Sequence, residues 1–188
     1  EPFIITLIRD MPSHISDLAP HQIEAFYEAV ATMLSDKGQH VEIDRQETLQ
    51  LLMQLPNEAW QNFMQRALQN VQELFEVNVV RVSEAADLLL FSATRTRLLI
   101  KPVALYRRYD VQELSKILRT NRSVCRAAGS IYVHQLSAIC LDMLNVYNVY
   151  SEQISQAVAA QGAVAARHTL FKAMRGVKSD ILDLLRTF

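Results

Sequence analysis

The 188-residue chain predicts an all-α fold built of stacked, antiparallel helix pairs. Three observations carry that expectation. Half of the residues are apolar and 21% are charged, enough to bury a sizeable core. Only four glycines and five prolines interrupt the chain, and β-branched runs with strict alternation are scarce. Apolar residues recur instead at i, i+3, i+4 and i+7, most clearly in "ICLDMLNVYNVYSEQIS" at 139–155.

Residues 1–37 read as a first helix pair, "EPFIITLIRDMPSHISDL" followed by "APHQIEAFYEAVATMLSDK". Pro20 suits the first turn of the second helix, where its missing N–H costs nothing. Residues 42–76 read as a second pair, "VEIDRQETLQLLMQL" followed by "PNEAWQNFMQRALQNVQELF", with Pro56 in the same role. The two prolines lie 36 residues apart, so a helix-turn-helix unit recurs. Residues 111–162 form a third pair, "VQELSKILRTNRSVCRAA" and a long helix from Ser130 to Gln161, with Gly162 suited to its C-cap. Ile139, Met143, Val146, Tyr147, Tyr150, Ile154, Ala157 and Val158 line one face of that helix. At 1.5 Å per residue it is a rod of roughly 45 Å. A rod of that length requires layers of neighbouring helices. Residues 168–188 read as the first helix of the next repeat. The spacing is loosely that of HEAT or armadillo arrays, about 40 to 47 residues, in which each pair buries its apolar face only against its neighbours.

Residues 77–110, "VNVVRVSEAADLLLFSATRTRLLIKPVALYRRYD", do not fit this pattern. Between Val79 and Tyr109 six basic residues stand against Glu84 and Asp87. The segment is a basic insert with three readings: a loop on one face of the stack, a basic docking element, or a mistranslated stretch such as a retained intron. Per-repeat insertions map to loops, so the flanking helices should survive any of them.

Composition and motifs argue against most chemistry. A net charge of −1 gives no global attraction for nucleic acid or an anionic membrane. The longest apolar runs fall far short of a membrane span. The opening "EPFIITL" has neither an initiator Met nor a basic-then-apolar signal, and reads as an excised piece of a longer soluble protein. Cys125 and Cys140 have neither redox nor zinc spacing and read as structural thiols in a reducing compartment. His14, His21, His40, His134 and His168 are scattered, so no metal is expected. No GxSxG elbow is present, and Gly38, Gly129, Gly162 and Gly176 are isolated, so neither a catalytic residue nor a cofactor cradle is expected.

Two basic groups stand out as a candidate partner surface. On the helix from Val111, Leu114, Ile117, Leu118, Val124 and Cys125 share a face with Asn121, while Arg119, Arg122 and Arg126 fall in a narrow sector opposite. Lys172, Arg175 and Lys178 form a broader group on the last helix. Each group is either a solvated face or a contact for an acidic partner; nucleic acid is a third, weaker alternative.

The words "FYEAV" at 26–30, "LPNEAW" at 55–60, "ILRTN" at 117–121, "LDMLNVY" at 141–147, "SEQIS" at 151–155 and "MRGVK" at 174–178 carry a resemblance. In this order and context the chain resembles the exportin-1 family of HEAT-repeat nuclear export receptors, over residues 1–76 and 111–188. The resemblance implies a right-handed superhelical solenoid of HEAT repeats, and a place in the C-terminal half, after the repeats of the cargo-peptide groove. It implies only a short connection where residues 77–110 stand, and no enzymatic step. It also implies binding of the GTP form of Ran, of leucine-rich export-signal cargo and of nucleoporins, with shuttling between nucleus and cytoplasm and no direct contact with nucleic acid or membrane. Under it, Trp60, Phe63 and Met64, with Phe26, Tyr27, Val30, Met33 and Leu34, are either core or a pocket for nucleoporin Phe side chains. The rival expectation is a helical-repeat nucleic-acid binder, or a generic protein-interaction scaffold, using the insert and the arginine stripe.

Overall fold

The computed structural model describes residues 3–36, 44–66 and 92–188, with the backbone alone over 92–109 and at Gln161. The described residues are helical, without a strand. In order they form α1 (Phe3–Arg9), α2 (Met11–His14), α3 (Pro20–Ser35), α4 (Arg45–Leu52), α5 (54–66), α6 (Ser92–Ala128), α7 (Val133–Gln161) and α8 (Thr169–Thr187). Short 3-10 turns at Gly129–Tyr132 and Gly162–Arg167 bracket α7.

The helix ends follow from local chemistry. Pro20 opens α3, and the Gln22 side chain reaches back to accept the Ala19 N–H at 2.8 Å. Asp44 caps α4, its Oδ1 accepting the N–H groups of Gln46 at 2.9 Å and Glu47 at 3.1 Å. The Nδ1 of His168 accepts the Leu170 N–H and starts α8. Gly162 closes α7 at φ 71°, ψ −169°, a conformation only glycine adopts without strain, and its N–H bonds the Val158 carbonyl. The long helix with a Gly162 cap is therefore present, as its sequence predicts.

The helices form two layers. One holds α3, α6 and α8, with α6 packed between the other two. The other holds α1, the α4–α5 rod and α7. A continuous core runs between the layers and is made by Leu34, Leu52, Trp60, Leu118, Met143 and Ile181, none more than 3% exposed. The all-α helical-repeat class expected from the sequence is the one observed.

Two details differ from the sequence reading. Pro56 does not separate an antiparallel pair within 42–76. The Met53 N–H bonds the Leu49 carbonyl and the Asn57 N–H bonds the Met53 carbonyl, both at 2.9 Å, so helical bonding continues past the break at Met53 and α4 and α5 are one interrupted rod. Pro56 is the third residue of α5, in its first turn as the sequence reading has it, and its missing N–H falls just after the break at Met53. Counting one helix fewer places α3 in the same layer as α6 and α8. The second difference is at α6, whose helical backbone begins at Ser92 rather than near Val111. The expected insert thus shares 92–110 with α6. The basic side chains assigned to the insert lie outside the described residues, as does its portion before Ser92, and so do His40 and Gly38.

Candidate partner surface

Arg119, Arg122 and Arg126 lie along the outer side of α6, as the helical phase predicts, with side-chain exposures of 51%, 35% and 62%. Each faces an acid on a neighbouring helix of the same layer. Arg126 makes a two-pronged pair with Glu28 of α3, its Nη2 at 2.8 and 2.7 Å from the two carboxylate oxygens. Arg122 meets Asp183 of α8 at 3.3 Å, and Arg119 meets Asp180 at 3.5 Å. Asp180 is itself buried and accepts a 2.5 Å bond from the Ser115 hydroxyl. On α5, Arg66 bridges to Asp110 and Glu113 in the middle of α6, at 3.6 and 3.1 Å. The stripe therefore ties α3, α6 and α8 together.

The second basic group divides. Lys178 turns inward, its Nζ 4.5 Å from the centre of the Tyr147 ring on α7. Arg175 is exposed and donates to the Ala166 carbonyl at 2.6 Å. Lys172 stands exposed with no carboxylate partner among the described residues.

A polar seam that periodicity only hinted at lies on the inner side of α6. Asn121 is 1% exposed, and its Oδ1 accepts the Tyr132 hydroxyl at 2.6 Å and a Gln135 N–H at 3.3 Å, while its own amide donates to the Ile117 carbonyl at 2.9 Å. Gln135 and Asn57 exchange amide bonds at 3.1 and 2.5 Å, and Trp60 Nε1 donates to Asp142 at 3.3 Å. The seam joins α5, α6 and α7. Asn121 standing among Leu118, Val124 and Cys125 was its sequence signal; nothing marked Gln135 or Asn57.

The other candidates resolve into packing or open surface. Trp60, Phe63, Tyr27, Val30 and Leu34 are buried in the core, Phe26 and Met64 partly, and Met33 is 42% exposed. Cys125 is buried, which pushes its thiol up to about 11, and Cys140 is half-buried. Among the described residues no group of three His, Cys, Asp or Glu side chains converges, and no helix is long and apolar enough to cross a membrane. An open groove of about 830 Å³ runs along α4 and α5, with Asp44, Glu47 and Glu58 on its walls and Leu51 in it.

Comparison with known proteins supplies the remaining observation. A family model described as CRM1 C terminal matches residues 135–188. Protein EXPORTIN 1B of Arabidopsis thaliana is 35% identical over 188 residues, covering all of this chain and 14% of the relative. Exportin-1 of Drosophila melanogaster is 34% identical over 183 residues, covering 97% of this chain and 14% of the relative. Exportin-1 of Schizosaccharomyces pombe is 32% identical over 190 residues, covering 100% of this chain and 14% of the relative. The chain thus spans about a seventh of the length of these curated relatives.

Proposed function

Because this chain belongs to the exportin-1 family, we propose that it is a scaffold segment from the C-terminal half of a nuclear export receptor. The observation that carries this reading is identity of 30–35% sustained along the chain to several exportin-1 proteins. A layered helix stack suits the role, since each repeat buries its faces only against its neighbours and the array transmits bending from one pair to the next. In this reading the receptor binds the GTP form of Ran together with leucine-rich export-signal cargo, passes nucleoporins, and shuttles between nucleus and cytoplasm. Its work is done by changes of shape, without covalent chemistry of its own. The segment contributes rigidity through its seam and ladder, and a partner surface through the exposed face of α8. Residues 77–110 are a lineage-specific addition, and its presence leaves the flanking repeats intact.

The test is a chimera. The matching segment of Drosophila melanogaster Exportin-1 is replaced by this chain, and Ran-GTP-dependent capture of an export-signal peptide is measured along with nuclear export of a reporter. Retained capture and export are expected. A folded chimera that loses both overturns the reading.

A further inference from the structure

The net charge of −1 conceals a division along the chain. Across the described residues of α1 to α5 and their connections, three basic residues stand against eight acidic ones. On α8 and the part of α6 from Asp110 onward, eight basic residues stand against four acidic ones. Those acids are already engaged. Asp180 and Asp183 face α6 and meet Arg119, Ser115 and Arg122, and Asp110 and Glu113 face Arg66.

What remains unneutralised is a stripe on the outer face of α8. Lys172, Arg175, Ser179, Leu182 and Arg186 follow the i, i+3, i+7, i+10, i+14 spacing of one helical face, and all are exposed. Lys172, Arg175 and Arg186 have no carboxylate partner among the described residues, nor does Lys116 on the exposed side of α6. Leu182 is 51% exposed and lies between Arg175 and Arg186 along the stripe. The α6 and α8 helices run side by side in the same direction, since Ser115 and Arg119 meet Asp180 and Arg122 meets Asp183.

We infer that the outer face of α8 docks an acidic segment of a partner protein that carries an apolar side chain, with Lys172, Arg175 and Arg186 meeting its carboxylates and Leu182 its apolar group. The α6 arginines are excluded because their charge is met within the chain, and Lys178 because it turns onto Tyr147. Charge complementarity selects the occupant. Nucleic acid would be drawn by the same cations, but a base-stacking aromatic is missing from the stripe, where Leu182 offers contact to an aliphatic or aromatic side chain.

This surface rests on the receptor reading only for the partner's identity. The test uses the full chain and a fluorescent Glu-rich peptide with one central leucine, followed by anisotropy at low and physiological ionic strength. Saturable binding is expected, falling about tenfold or more in K172E/R175E/R186E and a few-fold in L182S, with R126E unchanged. Far-UV circular dichroism verifies folding, and K172Q/R175Q/R186Q gives the charge-neutral counterpart if the reversal unfolds. Equal binding by parent and reversed variant overturns the inference. So does tighter binding of an oligouridine with the same losses, or a concentration-dependent dimer that the reversal abolishes, which would make a second copy the occupant. An exporting chimera whose reversed variant keeps peptide binding overturns the surface and leaves the receptor reading intact. A folded chimera that binds peptide but does not export does the opposite.

Discussion

Two sets of polar contacts hold α6 to its neighbours, and they differ in burial more than in geometry. The inner seam of Asn57, Asn121, Tyr132 and Gln135 is neutral, and three of its four members are no more than 7% exposed. The outer ladder of Arg119, Arg122 and Arg126 is charged, and its cations are 35–62% exposed. Charged bonds are the stronger in isolation, yet water screens the ladder and excludes itself from the seam. A seam group left alone cannot turn to solvent, whereas a ladder group can. The neutral contacts should therefore matter more to folding, and the charged ones more to specificity and salt response.

The comparison breaks most readily at Asn121. Asn121→Ala leaves the Tyr132 hydroxyl and a Gln135 amide without their acceptor, and should destabilise by about 2 to 4 kcal/mol in urea unfolding. Tyr132→Phe removes only the donor and should cost about 1 to 2 kcal/mol. A cost for Asn121→Ala no larger than that of an exposed substitution would show that the seam is wet.

Arg119 sharpens the contrast, because its partner Asp180 is buried although it is not. Arg119→Glu sets a second carboxylate beside a desolvated one, and should cost about 1 to 3 kcal/mol. Arg126→Glu breaks a fully surface pair and should cost about 0.5 to 1 kcal/mol, a loss that salt diminishes. The swap R126E/E28R should restore most of it. Equal effects of the two reversals in thermal melts would dissolve the distinction between rungs.

The smallest effect is expected at Asp110. Burial holds its carboxyl above the usual range; Arg66 opposes that rise and Glu113 adds to it. A carboxyl whose folded pKa is raised weakens the fold where it is ionised, and stability recovers as pH falls through that raised value. Asp110→Asn should therefore raise stability at neutral pH within about 0.5 kcal/mol, since the site is partly solvated. The advantage should shrink as the medium is acidified. An advantage that grows instead would reverse the sign assigned to this group.

What the sequence made legible follows the range of the contacts involved. Pro20 and Gly162 act on their own turn, and both ends fell where expected. The phase of α6 put Asn121 inward and the arginines outward, which a single helix determines. The partners of those arginines were not legible, because Glu28 is 98 residues from Arg126 and Asp183 is 61 from Arg122. Pro56 stands in the first turn of α5 as read, but a proline there does not tell whether the new helix turns back on the one before it or continues its line.

The interruption at Met53 also has a mechanical meaning. A helix resists bending through its evenly spaced longitudinal bonds, and the α4–α5 rod lacks one of them where Pro56 brings no N–H. Flexure of that rod concentrates there, between two stiffer stretches. The next residue, Asn57, is the anchor of α5 on Gln135. The compliant joint of this layer and the contact that ties α5 to α7 therefore sit side by side.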